Sequence, residues 1–325
     1  MLCLRFSQVS IKFQETGFRI LLAGSAAILL AVPVHAADDN WNNPAITYQS
    51  WSTGANWDLG TAPTGAQSAA IANGGWAKID SAVSFSTLTI GGTSQVQLLD
   101  GANLSGGGAI TNNNVLTTAN NAALTICNGI SGTGSLALTG NGTVTLTGVN
   151  SYAGATTIAA GSTLAVAGVA NNTTLPNSNV VVAGTFDISQ MTVGDPGQPA
   201  FIAVKNLSGS GTIALGSKVL LVRGGGTVFS GAIVDGGIGG GTGGTFAITG
   251  GGGTLTLTGV STFHGTISNP GNALALAGNG SIANAVINQA LDISQTNSGA
   301  TIAAVINGGT NAFVSLGSKT LTIAN

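Results

Sequence analysis

Few residues in this chain could do chemistry. Of 325 residues, ten are Asp or Glu, eight are Lys or Arg and two are His. Paired carboxylates are the first arrangement to test, because acid and base catalysis on sugars needs two of them. Asp187, in "GTFDIS" ending at Ser189, and Asp292, in "QALDIS" ending at Ser294, are the recurring pair, 105 residues apart. Asp38 and Asp39 are adjacent, and their place near the amino terminus makes them an expected mobile pair. A Ser-His-Asp arrangement has to use His264, since His35 lies in the leading 36 residues, and no G-x-S-x-G elbow occurs in the chain. One His and the distant Cys127 give no zinc-ligand spacing. A G-x-G-x-x-G does occur at Gly239, Gly241 and Gly244, but "TFAIT" after it reads as a strand, so no helix amino terminus is there to meet a phosphate. Glycine-rich turns here also lack the acidic partners of calcium-binding β-rolls. No catalytic, cofactor or metal site is expected.

Whether the two aspartates meet depends on the elements that carry them. Glycine makes up 52 residues, charged residues only 6 % and aromatics 5 %, while the hydrophobic share is 43 %. Low charge with ample apolar content describes a chain that buries a core, and not a disordered one. The first 36 residues read as a secretory signal. A basic stretch with Arg5, Lys12 and Arg19 precedes the apolar run Ile20 to Val34, and "VHA" ends at Ala36. That run is shorter than the roughly 20 residues a membrane span needs, and cleavage is expected between Ala36 and Ala37.

Beyond the signal, five cations (Lys78, Lys205, Lys218, Arg223 and Lys319) stand against nine aspartates and no glutamate. Scattered cations cannot neutralise a run of phosphates, which excludes nucleic acid as a partner. Cys127 is the only cysteine left after signal removal, so no intramolecular disulfide can form, and its apolar "LTICNG" setting predicts a small buried side chain.

The remaining sequence alternates Val, Leu or Ile with Thr, Ser or Ala between Gly and Asn turns. "TVTLT" from Thr143 and "TLTLT" from Thr254 are the cleanest examples, and Val144 and Leu146 are predicted to face inward with the threonines outward. "GNGTVTLTGVNSYAG" from Gly140 returns as "GGGTLTLTGVSTFHG" from Gly251, and "LGSK" at Leu215 returns at Leu316. One duplicated unit of about 105 to 111 residues, made of short strands, predicts a solenoid whose coils bury their faces against one another.

All four tryptophans, Trp41, Trp51, Trp57 and Trp76, precede this array. A solenoid end exposes unpaired strand edges, so residues 37–90 are expected to hold a bulky amino-terminal cap and the first strands, with 91–325 as the solenoid. An aromatic sugar-binding platform is the competing reading of the same four residues.

"GISGTGSLALTGNGTVTLTGVNSYAGATTIAAGSTLAVAG", Gly129 to Gly168, resembles the autotransporter-associated β-strand repeat. "NLSGSGTIALGSKVLLV", "VFSGAI" and "WSTGANWDLGTAPTGAQSAAI" resemble other parts of the passengers that carry it. The resemblance implies an all-β, right-handed parallel β-helix on a Gram-negative cell surface, adhesive or structural and not enzymatic. The implied partners are a host-surface or extracellular-matrix ligand or further copies of the chain. A carboxy-terminal translocator barrel, usual in such proteins, is missing after Asn325, so the chain as it stands is expected in the periplasm, and at the surface or outside the cell once joined to a barrel. A truncated or split gene product without activity of its own is the alternative, and a polysaccharide-acting β-helix enzyme a further one. At about 21 residues per coil and roughly 4.8 Å per coil, Asp187 and Asp292 lie about 24 Å apart, against roughly 5 to 9.5 Å for a glycosidase pair.

Overall fold

The structure is a computed structural model and describes residues 38–105, 107–169, 175–192, 200–249, 253–268, 273–287, 291–296, 303–306 and 314–315. The chain divides into two compact units, residues 1–36 and 37–325, and the described residues all belong to the second. The segment expected to be a signal, the cleavage site expected at Ala36 and Ala37, and the second "LGSK" lie outside the described residues.

Among the described residues the only helical turn is the 3-10 segment Gly54–Asn56, and everything else regular is strand. The strands stack in parallel. One sheet runs through thirteen of them, from Gln49–Ser50 to Val314–Ser315. In its first coils Ala77 faces Val96, Val96 faces Leu116 and Leu116 faces Leu136, a repeat of 19 or 20 residues. Further on, Val180 faces Leu207, so that coil takes 27. The other faces are built by shorter sheets. A five-stranded one starts at Asp39–Asn40 and ends at Ile130–Ser131, a six-stranded one runs from Leu124–Ile126 to Ala232–Val234, and a seven-stranded one begins at Phe201–Val204. This is the predicted β-solenoid.

Alternation decides what is inside. In Thr143–Leu146, Val144 and Leu146 are buried while Thr143 and Thr145 are partly exposed. The inward positions stack in register, as in Ile79, Leu98, Thr118, Leu138 and Ile158. Each buried aliphatic side chain contributes about 1.5–3 kcal/mol. The corners need asparagine and glycine. Asn112, Asn120, Asn128 and Asn150 are buried, and each bonds backbone at the bends. A Cβ on Gly154 would collide with the Gly134 carbonyl of the coil before it, so only glycine permits that approach.

The duplicated unit does not keep its face. Thr143–Leu146 belongs to the six-stranded sheet, and its copy Thr254–Leu257 belongs to the long sheet. Thr156–Ile158 lies in the long sheet, and the matching Thr266–Ser268 in the seven-stranded one. Coils of unequal length make the offset a non-integral number of turns. Asp187 and Asp292 are therefore not equivalent in place, as the sequence offset had implied. The first ends a strand of the six-stranded sheet, and the second lies in Leu291–Thr296 of the long sheet.

Candidate functional site

The tryptophans separate into two groups. Trp41, Trp51 and Trp57 are no more than 2 % exposed and join the core. Trp57 stands edge-on to both, 5.1 Å from Trp41 and 4.6 Å from Trp51, and its Nε1 donates to the Trp51 carbonyl at 2.7 Å. Phe85 adjoins Trp51 at 6.0 Å. A four-tryptophan sugar platform is thereby ruled out, because a buried ring has no face to offer. Trp76 alone is half-buried, on the outward side of the long sheet, with the Tyr48 ring 5.2 Å away at 45°.

The first coil also corrects the expectation for Asp39, which is buried and begins the five-stranded sheet. Residues 56–58 run antiparallel to residues 40–42 along its edge, with a bridge between Trp41 and Trp57. Asp58 closes that edge: its Oδ1 accepts the Asn40 amide and its Oδ2 accepts the Asn40 side chain, both at 2.9 Å. Burial, followed by the neighbouring Asp58 carboxylate, pushes the Asp39 carboxyl up to about 6, whereas the Asn40 donors hold Asp58 below the usual carboxylate range. Oδ2 of Asp39 is buried with no hydrogen-bond partner, so nothing offsets the burial of a negative charge on it. Sequence reading missed this contact because the two aspartates lie 19 residues apart, and only the returning edge segment joins them.

Asp187 is buried. Oδ1 accepts the Ser189 amide at 2.8 Å and the Ser189 hydroxyl at 2.6 Å, and Oδ2 accepts the Ile238 amide at 2.6 Å. Ser189 Oγ in turn accepts the Gly239 amide at 2.7 Å. The local bonds to Ser189 are those of a turn aspartate, which pairs with backbone and side chain two residues on. The bonds to residues 238 and 239 show what the glycine-rich loop does: it lies over Asp187, and a Cβ on Gly237, whose φ is +93°, would strike the carboxylate. The segment leading into the G-x-G-x-x-G, residues 237–239, thus covers a carboxylate, the opposite of a phosphate cradle.

At the start of the same loop, Asp235 Oδ2 accepts the His264 backbone amide at 2.9 Å and lies 2.6 Å from His264 Nδ1. The imidazole is largely exposed and the carboxylate mostly covered. Such a pair orients a histidine, yet among the described residues no serine is bonded to it, and a general base needs a partner within reach. Cys127 is exposed, in contrast to the expected buried side chain, because it follows the inward Ile126 and alternation turns it outward. Among the described residues, no three His, Cys, Asp or Glu side chains gather as a metal site requires.

What the surface offers instead is order. Thr143, Thr163, Thr185 and Thr212 face one another across four successive strands of the six-stranded sheet, all half-buried. On the long sheet a second outward row runs Lys78, Gln97, Thr117, Ala137 and Thr157. No protein-family model, no curated protein and no solved structure matches the chain.

Proposed function

We propose that the chain is the passenger of an exported surface protein, whose work is to extend, stay rigid and make contact. The observation that carries this reading is the register-locked column of outward threonines at Thr143, Thr163, Thr185 and Thr212. A ladder of like hydroxyls suits many weak contacts spread along a fibre-like body. In this reading the Trp41, Trp51 and Trp57 cluster is the amino-terminal cap, supported by its burial and by the segment that returns over the first strand edge. The solenoid winds right-handed, as the resembled passengers do.

The test is export. Fused after Asn325 to an autotransporter barrel and expressed in a Gram-negative host, the chain is expected to be cut by protease added to intact cells while a periplasmic marker is spared. Full protection of the fusion, with a control passenger digested, counts against the proposal.

A further inference from the structure

The outward face of the long sheet carries one place unlike the rest. Gln49 faces Ala77 and Ser50 faces Lys78, so Tyr48 and Trp76 occupy successive steps of one outward row, and Gln95 is the next. Tyr48 reaches along that row past Trp76 and donates its hydroxyl to Gln95 Oε1 at 3.0 Å. Both rings are half-buried, so each is held firmly while part of it meets solvent. Beside them, in the next outward row, lie Lys78 and Gln97, and Lys78 Nζ is 3.8 Å from Asp80 Oδ2.

We infer that this patch of Tyr48, Trp76, Gln95, Gln97 and the Lys78–Asp80 pair binds a neutral polysaccharide. A pyranose with equatorial hydroxyls presents apolar C–H faces and a polar rim. The aromatic row receives the face, and the amides, which both donate and accept, receive the rim. Because Tyr48 occupies Gln95 Oε1, the Gln95 amide nitrogen points its donors elsewhere, and Gln97 supplies a second amide one row away. Lys78 and Asp80 cancel each other's charge, which removes the attraction an anionic polymer would need. Rigid aromatic area flanked by adaptable polar groups gives a binding surface contact at low entropic cost. The inference concerns binding by purified protein and stands whether or not the chain reaches a cell surface.

Tryptophan emission makes the test direct, since the other three tryptophans are buried and Trp76 alone among the four is open to solvent. Cellohexaose, a neutral β-1,4-glucan fragment, is expected to shift the emission and shield it from acrylamide, and Trp76→Ala to weaken calorimetric binding at least tenfold with the circular dichroism unchanged. Polygalacturonate is expected to bind more weakly than the neutral oligosaccharide. A flat titration with millimolar cellohexaose, tighter binding of polygalacturonate, or wild-type affinity in Trp76→Ala overturns the inference. Should Trp76→Ala fail to fold, the double variant Tyr48→Ala, Gln97→Ala replaces it. The same tenfold loss is then expected, and unchanged affinity is again decisive against the site.

Discussion

Asp187 Oδ2 accepts the backbone amide of Ile238 at 2.6 Å, a bond that ties the six-stranded sheet to a loop 51 residues further along the chain. Glycine-rich loops lose much conformational entropy on ordering, so a buried carboxylate that gathers donors from both sides is what offsets that loss here.

Asp187→Ala removes the acceptor of three donors and leaves amides of the turn and the loop unpaired. The expected cost is about 2–4 kcal/mol, read as a lower denaturant midpoint, together with faster protease cleavage between residues 235 and 244. A loop cut at the wild-type rate in this variant would show that the carboxylate does not hold it.

The first coil should grow more stable as pH falls from neutral to mildly acidic. Asp39 has a folded-state pKa of about 6, above the ordinary value near 3.8, so the folded chain binds the proton more tightly than the unfolded one. Its contribution is fully present below about pH 4 and is lost as pH rises through about 6. The neighbouring Asp58, depressed by Asn40, acts in the opposite sense and only at lower pH. Asp39→Asn is expected to raise stability at pH 7 by on the order of 1–3 kcal/mol and to flatten the profile between pH 4 and 7. Thermal melts across that range check both.

Alternation in Thr143–Leu146 gives a sharper stability test. Val144→Asp or Leu146→Asp places a carboxylate where exposure is 1 % or less, and several kcal/mol are expected to be lost. Thr145→Asp points outward and should cost about 1 kcal/mol or less. Equal melting temperatures for the three variants would reverse the assignment of faces.

Cys127 is expected to react with a maleimide in the folded protein, because the side chain is exposed and its sulfur makes long contacts, 3.8 Å to the Leu104 carbonyl and 4.0 Å to Asn128 Oδ1. Peptide mapping after brief labelling without denaturant checks the site, and labelling that appears only after unfolding contradicts it.

Strand positions and facing were legible because period-two alternation is local: Val144, Leu146, Leu255 and Leu257 are all buried as their neighbours' chemistry implies. The same rule, applied one residue further, places Cys127 outside, where local apolarity had suggested the interior. What could not be read were contacts set by the return of the chain. The Asp39 and Asp58 pairing depends on an edge segment folding back, the cover over Asp187 on a loop from a later coil, and the Tyr48 bond to Gln95 on coils that bring together positions 47 apart in the chain. The isolation of Trp76 was hidden for a related reason, since its outward place at a strand start, facing Gln95, is set by the stacking of the coils, while Trp41, Trp51 and Trp57 are buried.

Asn150 accepts the Ile130 amide from the preceding coil, and Ser261, its counterpart 111 residues on, accepts the Ile233 amide in the same way. The corner is thus copied faithfully although the strand before it has moved from one sheet to another. A segment whose length is out of step with the circumference behaves like a screw thread cut with the wrong pitch: each added copy turns its predecessor's chemistry toward a new direction. Lengthening such a chain by gene duplication therefore diversifies its surface without a single point mutation, while the interior, which asks only for an apolar residue at every second position, accepts the insertion unchanged.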